Sequence, residues 1–122
     1  MKRILIVDDA ATVRMYHRSL LEMAGYAVDE AVNGIEALER ALQNTFDLYV
    51  VDINMPKLDG YGFLRELRAQ DIVQAPAIMV STEAESNDHT QAYAAGANAY
   101  LVKPVRPEQL LAHVKLMIGV QA

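Results

Sequence analysis

Four short runs of nearly continuous apolar residues punctuate the chain: ILIV at 4–7, LYVV at 48–51, AIMV at 77–80 and AYLV at 99–102. A strand with one wet face alternates apolar and polar residues, whereas a strand covered on both faces has no polar side. Unbroken runs of this length therefore predict strands of a parallel sheet that are covered on both faces. A fifth segment, YAVDEA at 26–31, alternates and carries charge, which predicts an edge strand.

Helical spacing fills the intervals. Val13, Leu20, Leu21 and Ala24 fall on one face, and Gly25 follows as a stop signal. Ile35, Leu38 and Leu42 form a second apolar stripe, with Asn33 placed as N-cap and Glu36 three residues on, the spacing of a capping box. Phe63, Leu64 and Leu67 make a third stripe. Leu110, Leu111, Val114, Met117 and Ile118 make another, with Pro107 suited to a first helical turn. The helix at 85–95 is the weakest, because ESNDHTQAYAA offers alanines and polar groups but little apolar face. The outcome is βα repeated five times, an α/β fold whose doubly wound, five-stranded parallel sheet has helices on both sides.

Composition agrees with this picture. The 122 residues are 52% hydrophobic, enough for one compact domain spanning 1–122, and no linker or low-complexity tract divides them. A formal charge of −5 argues against a duplex-binding surface, which needs cations to neutralise phosphates. There are no cysteines, so disulfide and thiolate chemistry are excluded. The opening MKRILIVDD has two cations before an apolar run, but the run is too short for a signal peptide and ends in two aspartates. No segment has the length to cross a bilayer. These features lead us to expect a cytoplasmic, monomeric protein, and a complete fold starting at Met1 favours a whole protein over a fragment.

In an open α/β sheet, ligands bind beyond the carboxyl ends of the strands. Asp8 and Asp9 follow the first run, Asp52 follows LYVV, Ser81 and Thr82 follow AIMV, and Lys103-Pro104 follows AYLV. Three carboxylates, a hydroxyl and an ammonium thus converge on one edge. Such acids raise one another's pKa unless positive charge intervenes. Lys103 supplies one charge, and Mg²⁺, which favours carboxylates, carbonyls and waters, would supply the rest. A metal and a lysine together neutralise phosphate oxygens, Ser81 can hydrogen-bond one, and a carboxylate can attack phosphorus to form an aspartyl phosphate.

Plainer readings exist for each residue alone. Asp9 and Asp59 could cap helices, and Lys103 could be a solvated side chain. His17, His89 and His113 lie on separate predicted helices without ligand spacing and read as surface or structural residues; the six methionines read as core filler. Joint placement at four strand ends is what favours a site.

ILIVDD, VVDINMPKLDG, IMVST and AGANAYLVKP, in that order and spanning essentially the whole chain, resemble the receiver domain of bacterial two-component response regulators, particularly the stand-alone, CheY-like chemotaxis type. The resemblance implies a flavodoxin-like (βα)5 fold with strand order 2-1-3-4-5. It implies that Asp52 accepts a phosphoryl group, that Asp9, Asp52 and the backbone carbonyl of Asn54 bind Mg²⁺ with support from Asp8, and that Lys103 contacts the phosphoryl group through a segment with a cis bond to Pro104. Ser81 and Tyr100 match the two switch positions. Asn54 and Glu83 match the chemotaxis-type modulating positions and imply rapid self-dephosphorylation, whereas Thr82, in place of a commoner alanine, should narrow access. Ser81 stands where threonine is more usual and Val105 where phenylalanine is frequent.

The same resemblance implies a signalling protein, a substrate that assists its own phosphorylation and dephosphorylation and is not an enzyme in its own right. Its implied partners are a histidine kinase or phosphotransfer domain and a downstream target bound by the face of the fourth helix, fifth strand and fifth helix, with neither nucleic acid nor membrane. Phosphate should draw Ser81 towards Asp52 and let Tyr100 rotate inward beneath a loosely held fourth helix. A stand-alone phosphorelay intermediate or the receiver of a larger regulator fits the same features. An aspartate-dependent phosphatase of the haloacid dehalogenase kind fits poorly, since Asn54 stands where it needs a second acid. A flavin carrier lacks its phosphate-cradling loop, because Asp8 and Asp9 stand there. A phosphorylation-independent interaction module leaves the intact acid site without a purpose.

Overall fold

The computed structural model describes residues 1–82 and 86–119, with backbone alone at 86 and 87. Strands and helices alternate without exception: β1 (Arg3–Val7), α1 (Ala11–Met23), β2 (Ala27–Ala31), α2 (Gly34–Gln43), β3 (Leu48–Asp52), α3 (Gly60–Arg68), β4 (Ala77–Ser81), α4 (Ser86–Ala95), β5 (Ala99–Val102) and α5 (Pro107–Ile118). The five strands form one parallel sheet in the order β2-β1-β3-β4-β5. This is the flavodoxin-like, doubly wound architecture expected from the sequence, with β1 and β3 adjacent at its centre.

Residue parity along each strand separates two cores. Leu5, Val7, Tyr49, Val51, Ala77, Met79 and Tyr100 face the layer that includes α2 and α3. Ile4, Ile6, Leu48, Val50, Ile78, Val80 and Leu101 face the other layer, where Leu21 of α1 and Leu110 and Val114 of α5 close over them. Both faces are dry, which is why β1, β3 and β4 read as unbroken apolar runs. β2 pairs only with β1 and is half-exposed at Asp29 and Glu30, as an edge strand should be.

The helix caps differ in part from expectation. Asn33 does cap α2, its side chain accepting from the Glu36 backbone N–H at 2.8 Å. The Glu36 carboxylate turns instead to Arg40 at 3.4 Å, so the reciprocal arm of a capping box is absent. The α2 stripe is also displaced. Ile35 and Leu42 are 44% and 51% exposed, while Ala37 and Ala41 are buried. Leu38 does pack against the core, and at the start of the helix the loop before α3 comes so close that a Cβ on Gly34 would stand 2.4 Å from the Leu58 carbonyl oxygen. On α4 the buried positions are likewise small, Ala92 and Ala95.

Candidate functional site

Asp52 and Ser81 are the last residues of β3 and β4, one position further into the sheet than the apolar runs suggested. Asp52 is paired in register with Val80, so its backbone is held by the central ladder. Asp8 leaves β1 next door and is only 1% exposed. Its carboxylate accepts from the Ala10 backbone N–H at 2.9 Å, and its carbonyl accepts from Arg14 Nη1 at 2.7 Å. Lys103, at the end of β5, reaches back across the edge. Its Nζ donates to Asp8 Oδ2 at 2.9 Å and to Asp52 Oδ1 at 3.0 Å, and its backbone N–H donates to the Ser81 carbonyl at 2.7 Å. The Lys103-Pro104 peptide bond is cis, as the resemblance implied.

Asp9 is exposed, and among the described residues nothing bonds its carboxylate. It does not cap α1; the N-cap position is Ala10, with no side-chain cap. Asp59, by contrast, is a cap, accepting from the Gly62 N–H at 2.8 Å. One oxygen each from Asp8, Asp9 and Asp52 lies within 4.8 Å of the others. Octahedral Mg²⁺ with bonds of about 2.1 Å spaces its ligand atoms about 3–4 Å apart, so the three carboxylates can converge on one such ion with small adjustments. The donor set, all hard oxygen, also suits Mg²⁺.

The electrostatics match a site that lacks cationic charge. Burial, reinforced by the Asp8 carboxylate, pushes Asp52 above its ordinary value; the Lys103 hydrogen bond opposes this but does not reverse it. For Lys103, burial favours the neutral form, yet the hydrogen bonds to Asp8 and Asp52 outweigh it and raise the ammonium's pKa. The lysine stays charged, and one ammonium does not satisfy two buried carboxylates.

Of the other expected residues, Ser81 is fully buried beneath the site, whereas Asn54 and Thr82 are exposed at its rim. Glu83 lies outside the described residues. Tyr100 is only 8% exposed and belongs to the core on the α2–α3 side of the sheet. His89 of α4 stacks on it at 4.0 Å between ring centroids, so this histidine is structural. His17 is structural too, 2% exposed, its pKa lowered chiefly by burial.

Three supports escaped sequence reasoning. Gly60 opens α3 against the site: its N–H donates to the Ile53 carbonyl at 2.8 Å, and a Cβ there would stand 2.4 Å from the Asp52 carbonyl oxygen. Arg14 and Arg18 both reach Glu30 on β2, at 2.8 Å and 2.6 Å. Arg14 thereby ties the edge strand to the backbone of Asp8. The only signal in the sequence was the i, i+4 spacing of the two arginines, which puts them on one helix face.

The family of the response regulator receiver domain matches residues 4–115, and the chain belongs to that family. It is thus the receiver of a two-component system, a phosphorylation-activated switch. It is 37% identical to the transcriptional regulatory protein ResD of Bacillus subtilis over 116 residues, covering 95% of this chain and 48% of ResD. With PrrA of Mycobacterium tuberculosis, also a transcriptional regulatory protein, the identity is 40% over 116 residues, 95% of this chain and 49% of PrrA. The chain therefore spans about half the length of these relatives. Among solved structures, the chemotaxis protein CheY4 of Vibrio cholerae superimposes with a TM-score of 0.90 at 36% identity, covering 96% of this chain and 98% of that one. The receiver domain of the sensor histidine kinase PA1611 of Pseudomonas aeruginosa, solved with a magnesium ion coordinated in its active-site cleft, gives 0.89 at 31% identity, with 96% and 97% covered. Among the described residues no helix is long and apolar enough to cross a membrane.

Proposed function

We propose that Asp52 is the phosphoacceptor, charged by a histidine kinase or phosphotransfer domain in the presence of Mg²⁺. The observation that carries this is the Lys103 bridge: one ammonium 2.9 Å from Asp8 and 3.0 Å from Asp52, beside a third carboxylate that has no partner among the described residues. Asp9, Asp52 and the Asn54 carbonyl would hold the ion and Asp8 would support it; the ion's chemistry is neutralisation of phosphate oxygens. Lys103 holds a second flank of the phosphoryl group, and Asp52 supplies the attacking oxygen. The protein acts as an acceptor whose modified state is the signal, and not as a turnover enzyme. A cytoplasmic location fits a kinase partner of this kind.

Two outputs are compatible with this chemistry. The match to CheY4 over nearly the whole of both chains favours a chemotaxis-type switch whose α4–β5–α5 face binds a target protein. The curated relatives, transcriptional regulators about twice as long, favour a receiver that serves a larger regulator or a phosphorelay. The first claim is tested with acetyl phosphate and Mg²⁺: intact-protein mass should register one acid-stable, base-labile phosphoryl group, absent from Asp52→Asn and weakened in Asp9→Ala. Equal, stable labelling of Asp52→Asn would remove Asp52 from the role. A pull-down with and without a beryllofluoride mimic separates the outputs by the partner retained.

A further inference from the structure

An apolar cavity of about 260 Å³ adjoins the acid cluster, between α1 and the connection from β5 to α5. Val13, Tyr16 and His17 of α1 form one wall, and Val105 stands on the other. Thr82 and Lys103 belong both to this cavity and to the edge where Asp52 lies. The volume is well above the roughly 150 Å³ that suffices for a benzene ring in a dry protein cavity. His17 contributes apolar bulk to the α1 wall and not a bond for a ligand: its Nδ1, the one buried side-chain polar atom among the described residues without a hydrogen-bond partner, is sealed from solvent.

We propose that this cavity is the leaving-group subsite of the phosphorylation site, and that it selects small acyl phosphates with aromatic acyl groups over acetyl phosphate. The proposal rests on Asp52 being the phosphoacceptor. In the transfer, an Asp52 oxygen attacks phosphorus, the bond between phosphorus and the acyl oxygen breaks, and its electron pair leaves with the acyl group as a carboxylate. No proton, oxidant or reductant is consumed. Lys103 Nζ, 3.0 Å from Asp52 Oδ1, neutralises the phosphoryl oxygens, while the same side chain borders the cavity. A donor bound there therefore has its phosphoryl group on one side of Lys103 and its acyl group on the other. An acetyl methyl leaves most of the space unfilled. A phenyl ring would lie against Val13, Tyr16 and Val105 and withdraw its apolar surface from water. Binding energy from this non-reacting part of the donor appears in the second-order rate constant for transfer.

The test compares acetyl phosphate with benzoyl phosphate on the full chain with Mg²⁺, following phosphorylation of Asp52 by intact-protein mass. Each rate constant is divided by the donor's spontaneous hydrolysis rate to remove intrinsic reactivity. The wild-type ratio of benzoyl to acetyl should be about tenfold or more, the scale on which an apolar pocket discriminates. Val13→Phe, which fills the cavity, and Tyr16→Ser, which strips a wall on the half-exposed face of α1, should each bring the ratio down several-fold, with acetyl phosphate as the internal reference in every variant. A wild-type ratio near one, or a ratio unmoved in both variants, overturns the subsite while labelling by acetyl phosphate leaves Asp52 as acceptor. If neither donor labels Asp52, the acceptor assignment falls and the subsite falls with it.

Discussion

His89 of α4 stacks on Tyr100 of β5, with ring centroids 4.0 Å apart and planes inclined by 27°. This contact joins a weakly amphipathic helix to the central sheet through one pair of rings. Stacked pairs of this kind contribute about 0.5–1.5 kcal/mol beyond their buried area. His89→Ala should therefore destabilise the protein by about that amount and free the Tyr100 ring, seen as a change in its aromatic proton shifts. Unaltered Tyr100 resonances would mean that the sheet alone holds the ring inward.

Asp52 connects stability to pH in an unusual direction. Its folded-state pKa is raised, by burial first and by Asp8 second, so folding favours the protonated form relative to the unfolded chain. The stability associated with that proton is present below the unfolded value of 3.8 and is lost as pH rises through the folded one. At neutral pH without Mg²⁺, Asp52→Asn should consequently be more stable than the wild type, by the ordinary single-site amount of roughly 0.5–3 kcal/mol. The advantage should shrink as pH falls towards 4, and Mg²⁺ should raise the melting temperature of the wild type more than that of the variant. Thermal melts at several pH values, with and without Mg²⁺, provide the check.

Glu30 gives the opposite slope. The Arg18 hydrogen bond is the largest influence and lowers its pKa below 4.5; burial opposes it, and the Arg14 hydrogen bond adds a smaller lowering. Its contribution is therefore present above that value and disappears as pH falls through the folded pKa. The carboxylate is 28% exposed, so Glu30→Gln should cost only about 0.5–1 kcal/mol near neutrality and flatten the acid limb of the stability curve. Because Arg14 also donates to the Asp8 carbonyl, the variant should bind Mg²⁺ more weakly, measurable by titration calorimetry.

Gly60→Ala separates helix propensity from fit. Alanine in a helix is favoured over glycine by roughly 0.5–1 kcal/mol. Here the new Cβ would meet the Asp52 carbonyl oxygen at 2.4 Å and the Ile53 Cα at 3.0 Å, backbone atoms that cannot swing aside. The variant should be destabilised by about 1–3 kcal/mol and phosphorylated more slowly by acetyl phosphate. A stabilised protein with intact labelling would show that the loop after β3 yields readily.

His17→Leu removes the orphaned Nδ1 while keeping a side chain of similar bulk. Relieving an unsatisfied buried polar atom should stabilise the fold by about 1 kcal/mol, read in urea denaturation. A loss of stability would mean that the ring's packing in this seam matters more than its orphaned nitrogen.

Much of this molecule was determined by its sequence. Unbroken apolar runs lie between two covered faces, so the strands and their parallel arrangement follow from periodicity; edge position does not, because β5 is an edge like β2 and yet reads as an unbroken run. The polar residues that end those runs had to meet at one edge, because every strand points the same way; hence Asp8, Asp9, Asp52, Ser81 and Lys103 were legible as a group. Tertiary packing decided what distinguishes them. Asp8 is buried and bonded while its neighbour Asp9 is exposed and unbonded, a difference set by the turn into α1. Helix α2 buries Ala37 and Ala41, packs Leu38 against the core and leaves Ile35 and Leu42 half-exposed, a rotation about the helix axis that hydrophobicity along one chain does not encode. The Lys103 bridge, the Arg14–Glu30 tie and the His89–Tyr100 stack each join residues far apart in sequence, and such pairs exist only once the sheet has brought their elements together.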